Sequence, residues 1–258
     1  MSSVKHHPVR AAAKLIALGS VLAWVALDFI VGLWLVGKSA STAARTAWLQ
    51  RSSRRLLRSV RVTARYRGPP PQRGILIANH LSYLDVLVLG QAQPLLFVAK
   101  NDVRNWPFLG WLTACAGTLY IQRESKTDVL RLAEQFGPLI EQGNIIVIFP
   151  EGTSSDGLQV LPFRSALLEP AAANGWPVTP AWIGYRLEDG SVAAEVAYWG
   201  DMTFGPHLLN LLSKKRIEAF VAYGPAVAQG LDRKTMAREL HAQVCQLAAR
   251  RQTANRIA

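Results

Sequence analysis

A chain of 258 residues, half of them apolar and with no low-complexity tract, can bury one substantial core, which excludes a disordered protein. Its formal charge of +12 is unevenly placed: residues 1–67 carry twelve Lys/Arg and one acid, Asp28, while the remaining 191 carry seventeen bases and sixteen acids. A nearly neutral body behind a basic arm with a long apolar run argues against a nucleic-acid groove and for an anionic membrane surface.

The arm comes first. Leu15–Val36 is apolar apart from Ser20 and Asp28, and as a helix it is long enough to cross the hydrocarbon layer. Asp28 makes a full span costly, by roughly 2.5–3.5 kcal/mol, so a bent hairpin in one leaflet stands beside the full span. A cleaved leader is disfavoured, because the run is too long and Lys38 interrupts the cleavage zone. The segment 43–59 predicts a basic amphipathic helix at the interface. Trp48, Leu49, Leu56 and Leu57 form one face, with Arg51, Arg54, Arg55 and Arg58 set to meet lipid phosphates. Residues 1–59 thus read as a membrane-associated arm and 60–258 as the body. The excess of bases after the apolar run predicts a cytoplasmic body, at the inner membrane.

In the body, strands are predicted at Arg61–Tyr66, Ile75–Ala78, Leu95–Ala99, Thr118–Ile121, Ile145–Phe149, Val178–Ile183, Val192–Trp199 and Ile217–Tyr223. Helices are predicted at Val103–Ala114, Lys126–Gln142, Ser165–Asn174, Pro206–Leu212 and Arg233–Arg250. The mixture gives an α/β fold, a central mixed sheet flanked by helices. Cys115 and Cys245 lie outside any CxxC pattern, so neither a disulfide framework nor a zinc site is expected.

Chemistry concentrates at strand ends. Ile75–Ala78 runs into Asn79-His80-Leu81-Ser82-Tyr83-Leu84-Asp85. If a helix opens just after His80, Asp85 can reach back to the imidazole, fixing one ring nitrogen as donor and freeing the other to take a proton. Ile145–Phe149 leads into Pro150-Glu151-Gly152-Thr153-Ser154-Ser155, where α/β folds bind ligands. Gly117 opens a strand that ends in Arg123, able to hold a phosphate.

Together these blocks resemble the glycerophospholipid acyltransferase family, of the bacterial 1-acylglycerol-3-phosphate type, over roughly Arg61–Tyr223. Asn79-His80 with Asp85 is similar to its catalytic block, and Gly117–Arg123 to its acceptor block. Phe149-Pro150-Glu151-Gly152-Thr153 resembles the third block and Val178-Thr179-Pro180 the fourth. Lys100 and Phe163-Arg164 stand where the family carries basic residues. The resemblance implies acyl transfer from acyl-CoA or acyl carrier protein to a lysophospholipid, most simply 1-acylglycerol-3-phosphate, with no metal or other cofactor. His80 and Asp85 are then catalytic, and Lys100, Gly117, Arg123, Glu151, Gly152, Thr153 and Arg164 bind the substrate. Ser154 departs from the family's usual Arg, and Ser154–Leu167 with Gly200–Leu212 resembles the branch that acylates lyso-ornithine lipid. The rival classes are a hydrolase using Ser154 or Ser155, and a non-catalytic lipid-binding relative.

Overall fold

The computed structural model describes residues 7–106, 108–121, 126–188, 190–227 and 230–257, with backbone alone for 126–133 and 252–257. In chain order the helices are α1 (Pro8–Phe29), α2 (Thr42–Ser59), α3 (Leu84–Gly90), α4 (Leu109–Cys115), α5 (Lys126–Glu141), α6 (Glu169–Asn174), α7 (Val192–Glu195), α8 (Phe204–Ser213) and α9 (Arg233–Ile257). The strands are β1 (Val62–Arg67), β2 (Gly74–Ala78), β3 (Leu96–Lys100), β4 (Leu119–Ile121), β5 (Ile145–Ile148), β6 (Val178–Leu187) and β7 (Ile217–Tyr223).

They form one sheet in the order β1-β7-β6-β2-β5-β3-β4. Only the β6–β7 pairing is antiparallel, so the sheet is mixed, as expected from sequence. Strands β2 and β5 are buried along their whole length, which is why they read as unbroken aliphatic runs. Side chains alternate between two helical layers. Leu76, Ala78, Val147 and Phe149 share a core with Val25, Trp48, Leu57, Val88 and Leu211 from α1, α2, α3 and α8. Ile75, Ile77, Ile146 and Ile148 share the other with Phe136, Ala171 and Leu240 from α5, α6 and α9. The carboxyl ends of β2, β5, β3 and β4 lie along one edge, where parallel α/β sheets place ligands.

The arm is docked onto the body. Beyond α1 a single π-helical segment, Ile30–Trp34, leads to the turn before α2, whose first turn is capped by the Ser41 hydroxyl accepting from Ala44 N–H. Together Pro8–Trp34 is long and apolar enough to cross a membrane, with an 18-residue stretch of mean hydropathy 2.2. Trp48 fixes the hairpin: it is 1% exposed, donates its indole N–H to the Val25 carbonyl at 3.2 Å, and meets Phe29 edge-on. Asp28, the awkward residue of the apolar run, lies 3.5 Å from Arg51 and 3.4 Å from Arg55. At the other end Arg10 donates to Ser213 O (3.1 Å), and Lys14 donates to Val60 O (2.8 Å) and Lys214 O (2.6 Å).

Two expectations are corrected. Val192–Trp199 is not a strand: Val192–Glu195 forms one helical turn and irregular chain follows. Helix-favouring Ala193-Ala194-Glu195 outweighs the β-branched flanks, and the Glu195 carboxylate is drawn inward to Lys214 and the Ser191 N–H. Val103–Ala114 is not one helix either, but a 3₁₀ segment, Asn101–Asn105, followed by α4. Pro107 follows Trp106 in the sequence and disfavours helical backbone there; Trp106 is extended, at φ −69°, ψ 129°.

Candidate functional site

The site starts from the end of β2. Asn79 is 4% exposed, and its side chain accepts from Ile183 N–H (2.7 Å) and donates to Ile183 O (2.9 Å), extending the β2–β6 ladder by one amide. This leaves the chain to turn at His80. Helix α3 opens at Leu84, and the carboxylate of Asp85 in its first turn folds back toward the turn.

Asp85 is fully buried and collects four donors. Its Oδ2 lies 2.8 Å from His80 Nδ1 and accepts from Leu81 N–H (2.7 Å) and Ser82 N–H (3.0 Å), while Oδ1 accepts the Tyr185 hydroxyl. Burial, then the neighbouring Asp85 charge, pushes the Tyr185 phenol well above its usual range, so it stays a donor. With two backbone N–H groups already donating to it, Oδ2 of the carboxylate accepts from the ring as well, which places the His80 proton on Nδ1. Among the described residues nothing hydrogen-bonds to His80 Nε2, and the side chain is 24% exposed. The ring stacks on Phe149 at 4.2 Å between centroids, which holds its plane. A fixed, solvent-reachable acceptor nitrogen backed by a buried carboxylate is a general-base arrangement.

The β5–β6 loop grips the same turn from behind. Glu151 is 3% exposed and spends one oxygen on His80 N–H (3.2 Å) and the other on Leu161 N–H (3.0 Å). Burial raises its carboxyl to about 7, against the lowering effect of the two backbone bonds. Ser155 N–H donates to His80 O at 2.9 Å. Sequence reading places Glu151 in the acceptor pocket; the structure gives both its oxygens to backbone, so it holds the loop. Gly152 (φ +77°) lies against Arg164, whose Nε would be 2.6 Å from any Cβ there. Thr153 and Arg164 are exposed beside this loop.

Lys100 ends β3 and is exposed. It stands two strands from β2, about 10 Å across at the usual strand spacing. Gly117 (φ +81°) sits behind α4 rather than beside His80; its nearest neighbours are Leu96 and Arg45, whose guanidinium caps α4 through the carbonyls of Ala114 and Cys115. Arg123 lies outside the described residues. His80, Asp85 and Glu151 are therefore joined directly, and Gly152 and Arg164 flank them.

Sequence reasoning missed Tyr185 and His207. Tyr185 stands two positions past Ile183 on β6, in phase with its buried face, so extending the strand by one period would have exposed it. His207 on α8 lies 3.1 Å from the Tyr83 hydroxyl and 3.0 Å from Ala197 O, tying the His80–Asp85 loop to α8. Burial holds its imidazole below the usual value. No local pattern signals that pairing.

Residues 59–184 match the family model of acyltransferases. A lyso-ornithine lipid O-acyltransferase from Pseudomonas aeruginosa is 39% identical over 197 residues, covering 74% of this chain and 73% of the relative. A lyso-ornithine lipid O-acyltransferase from Rhodobacter capsulatus is 38% identical over 158 residues, 58% of this chain; the match spans 56% of that relative's length. The crystal structure of the 1-acyl-sn-glycerophosphate acyltransferase PlsC from Thermotoga maritima shares the fold. Its TM-score is 0.62 at 19% identity, covering 93% of this chain and 98% of that one. Matched over its histidine–aspartate and glutamate blocks and along most of one relative's length, the chain belongs to the acyltransferase family.

Proposed function

We propose that this protein transfers a fatty acyl group from a thioester donor, acyl-CoA or acyl carrier protein, to the free hydroxyl of a lysolipid. The observation that carries the reading is His80 Nε2, oriented by Asp85 at 2.8 Å on Nδ1 and left open to the acceptor. The acceptor oxygen attacks the thioester carbon as its proton passes to Nε2. The C–S bond then breaks and the imidazolium returns the proton to the leaving thiolate. Asp85 stabilises the transient cation. General-base help of this kind contributes about 10²–10⁴ in rate. The alternative of a serine nucleophile is disfavoured, since the Ser154 hydroxyl is spent on Tyr198 O and that of Ser155 on His80 O. A purely lipid-binding relative needs no such base–orienter pair.

Of the two acceptors, lyso-ornithine lipid is favoured over 1-acylglycerol-3-phosphate. Both relatives described above carry that name, and Ser154 replaces a phosphate-binding Arg of the family. Lys100, Arg123 and Arg164 are the cations offered to the carboxylate of the acceptor's head group.

The protein works at a membrane, with its body on the cytoplasmic face of the inner membrane. Arg10 and Lys14 are tied to body carbonyls, so the part of α1 free to enter lipid begins near Trp24. From there to Trp34, where the helix ends, is eleven residues, about 16 Å of helix. That depth suits one leaflet, and the Arg pairs neutralise Asp28 within it. The test is incubation of purified protein in micelles with labelled acyl-CoA or acyl carrier protein and a panel of lysolipids, with mass spectrometry of the products. Acylated ornithine lipid is the expected product, lost in His80→Ala. Acylation of lysophosphatidate alone overturns the acceptor, and unchanged transfer by His80→Ala overturns the mechanism.

A further inference from the structure

The four arginines of α2 divide by helical phase. Arg51 and Arg55, one turn apart, hold Asp28. Arg54 and Arg58, also one turn apart, have no carboxylate within 4 Å among the described residues. They border instead a cleft of about 570 Å³ between α2, the edge strand β1 and the turn after α3. Tyr66, Gln91, Gln93 and Tyr223 line it together with small and apolar residues of β1 and the loop after it, and no acidic residue does.

The cleft is built, not incidental. Arg54 Nε donates to Gln91 O at 3.0 Å, which ends α3 and pins the guanidinium at the rim. The rings of Tyr66 and Tyr223 stack at 6.5 Å and 10°. Gly68 (φ +82°) brings the chain so close to Tyr223 O that a Cβ would stand 2.6 Å away. Tyr223 is only 6% exposed, yet its hydroxyl has no partner among the described residues, and neither has Gln93 Nε2. Buried donors without partners are rare in folded proteins. Both residues line the cleft together with the two arginines, the amide Nε2 able only to donate and the phenol able to donate. The complementary ligand is an anion rich in acceptor oxygens, which describes phosphate. The volume exceeds one phosphate and matches a head group that carries more atoms.

We propose that this cleft binds the phosphate head group of an anionic phospholipid from the surrounding bilayer, apart from the His80 site. Tyr66 on β1 and the end of β2 that leads into His80 have β7 and β6 between them, three strand spacings or about 14 Å across the sheet. The lipid, rather than a soluble phosphate, is the occupant because α2 is the inner helix of the arm. Trp24, 55% exposed, sits 6.0 Å from Arg55 at the boundary of the arm's apolar tip, where an aromatic belt meets head groups. A lipid held there braces arm against body and sets the height of the site above the hydrocarbon.

The test titrates the full chain, in neutral detergent, with dihexanoyl phosphatidylglycerol and with dihexanoyl phosphatidylcholine, reading binding by calorimetry without turnover. Saturable binding of the anionic lipid, tenfold or more tighter than the zwitterionic one, is expected. Arg54→Gln/Arg58→Gln should weaken it at least tenfold. Tyr223→Phe and Gln93→Met should each weaken it several-fold, and Arg233→Gln on α9 should leave it unchanged. Arg54 also caps α3, so a misfolded double variant passes the decision to Tyr223→Phe and Gln93→Met, which remove no bond made within the described protein. Equal affinity for the two lipids, unchanged binding in both conservative variants, or an equal loss in Arg233→Gln would each overturn the proposal. Displacement by equimolar inorganic phosphate would replace the lipid with a soluble anion as the occupant and overturn it in that form.

Discussion

Replacing Asp85 by Asn removes one charge while keeping the shape of the side chain. Two of its four donors, the backbone N–H groups of Leu81 and Ser82, cannot turn away, so the Asn carbonyl must occupy the Oδ2 position. The amide NH₂ then faces Tyr185, whose hydroxyl can rotate to accept. His80 keeps an acceptor on Nδ1 and hence its tautomer, and the variant folds. What disappears is the charge that stabilises the imidazolium. At 2.8 Å and an effective dielectric near 20, that interaction amounts to about 6 kcal/mol, part of which the Asn dipole retains. A loss of about 3 kcal/mol in the transition state corresponds to roughly two orders of magnitude in kcat. The assay is steady-state acyl transfer at saturating donor and acceptor, with circular dichroism and thermal unfolding on the same samples. A folded Asp85→Asn variant that keeps kcat within threefold of the parent would refute the pairing as a catalytic device.

Three further outcomes are expected. Tyr185→Phe leaves Asp85 Oδ1 without its hydroxyl donor in a dry site, and should cost about 1–3 kcal/mol in denaturant unfolding together with roughly tenfold in kcat. Unchanged values would show that the hydroxyl is idle. For Glu151, a carboxyl held at about 7 against an ordinary 4.5 stabilises the fold below pH 4.5 and loses that contribution as pH rises through 7. Comparing urea unfolding of the parent and Glu151→Gln at pH 5 and pH 8 should therefore show the parent losing up to about 3 kcal/mol relative to the variant. Parallel pH profiles would dispose of this reading. Asp28→Asn abolishes both arm ion pairs, which are partly exposed, so only about 1 kcal/mol of stability should be lost in detergent, read by thermal unfolding.

The α/β class, the positions of seven strands and the juxtaposition of His80 with Asp85 were legible in the linear chain, because each rests on local rules. Buried parallel strands are written as aliphatic runs, and the five-residue spacing from His80 to Asp85 closes within one turn and a helix start. Val192–Trp199 was misread for the opposite reason. Its conformation is decided by Lys214, nineteen residues beyond Glu195, which draws that carboxylate into the interior. The same holds for Tyr185, 100 residues from the carboxylate it supports, and for His207, 124 residues from Tyr83.

The arm shows the division most plainly. Composition alone identified an apolar helix, a basic helix beside it and an acid in an expensive place. Only packing revealed that Arg51 and Arg55 answer that acid while Arg54 and Arg58 border the cleft beside β1, because helical phase relative to a neighbour is a property of two elements and not of either sequence. Periodicity records which residues share a face; it does not record what the face meets.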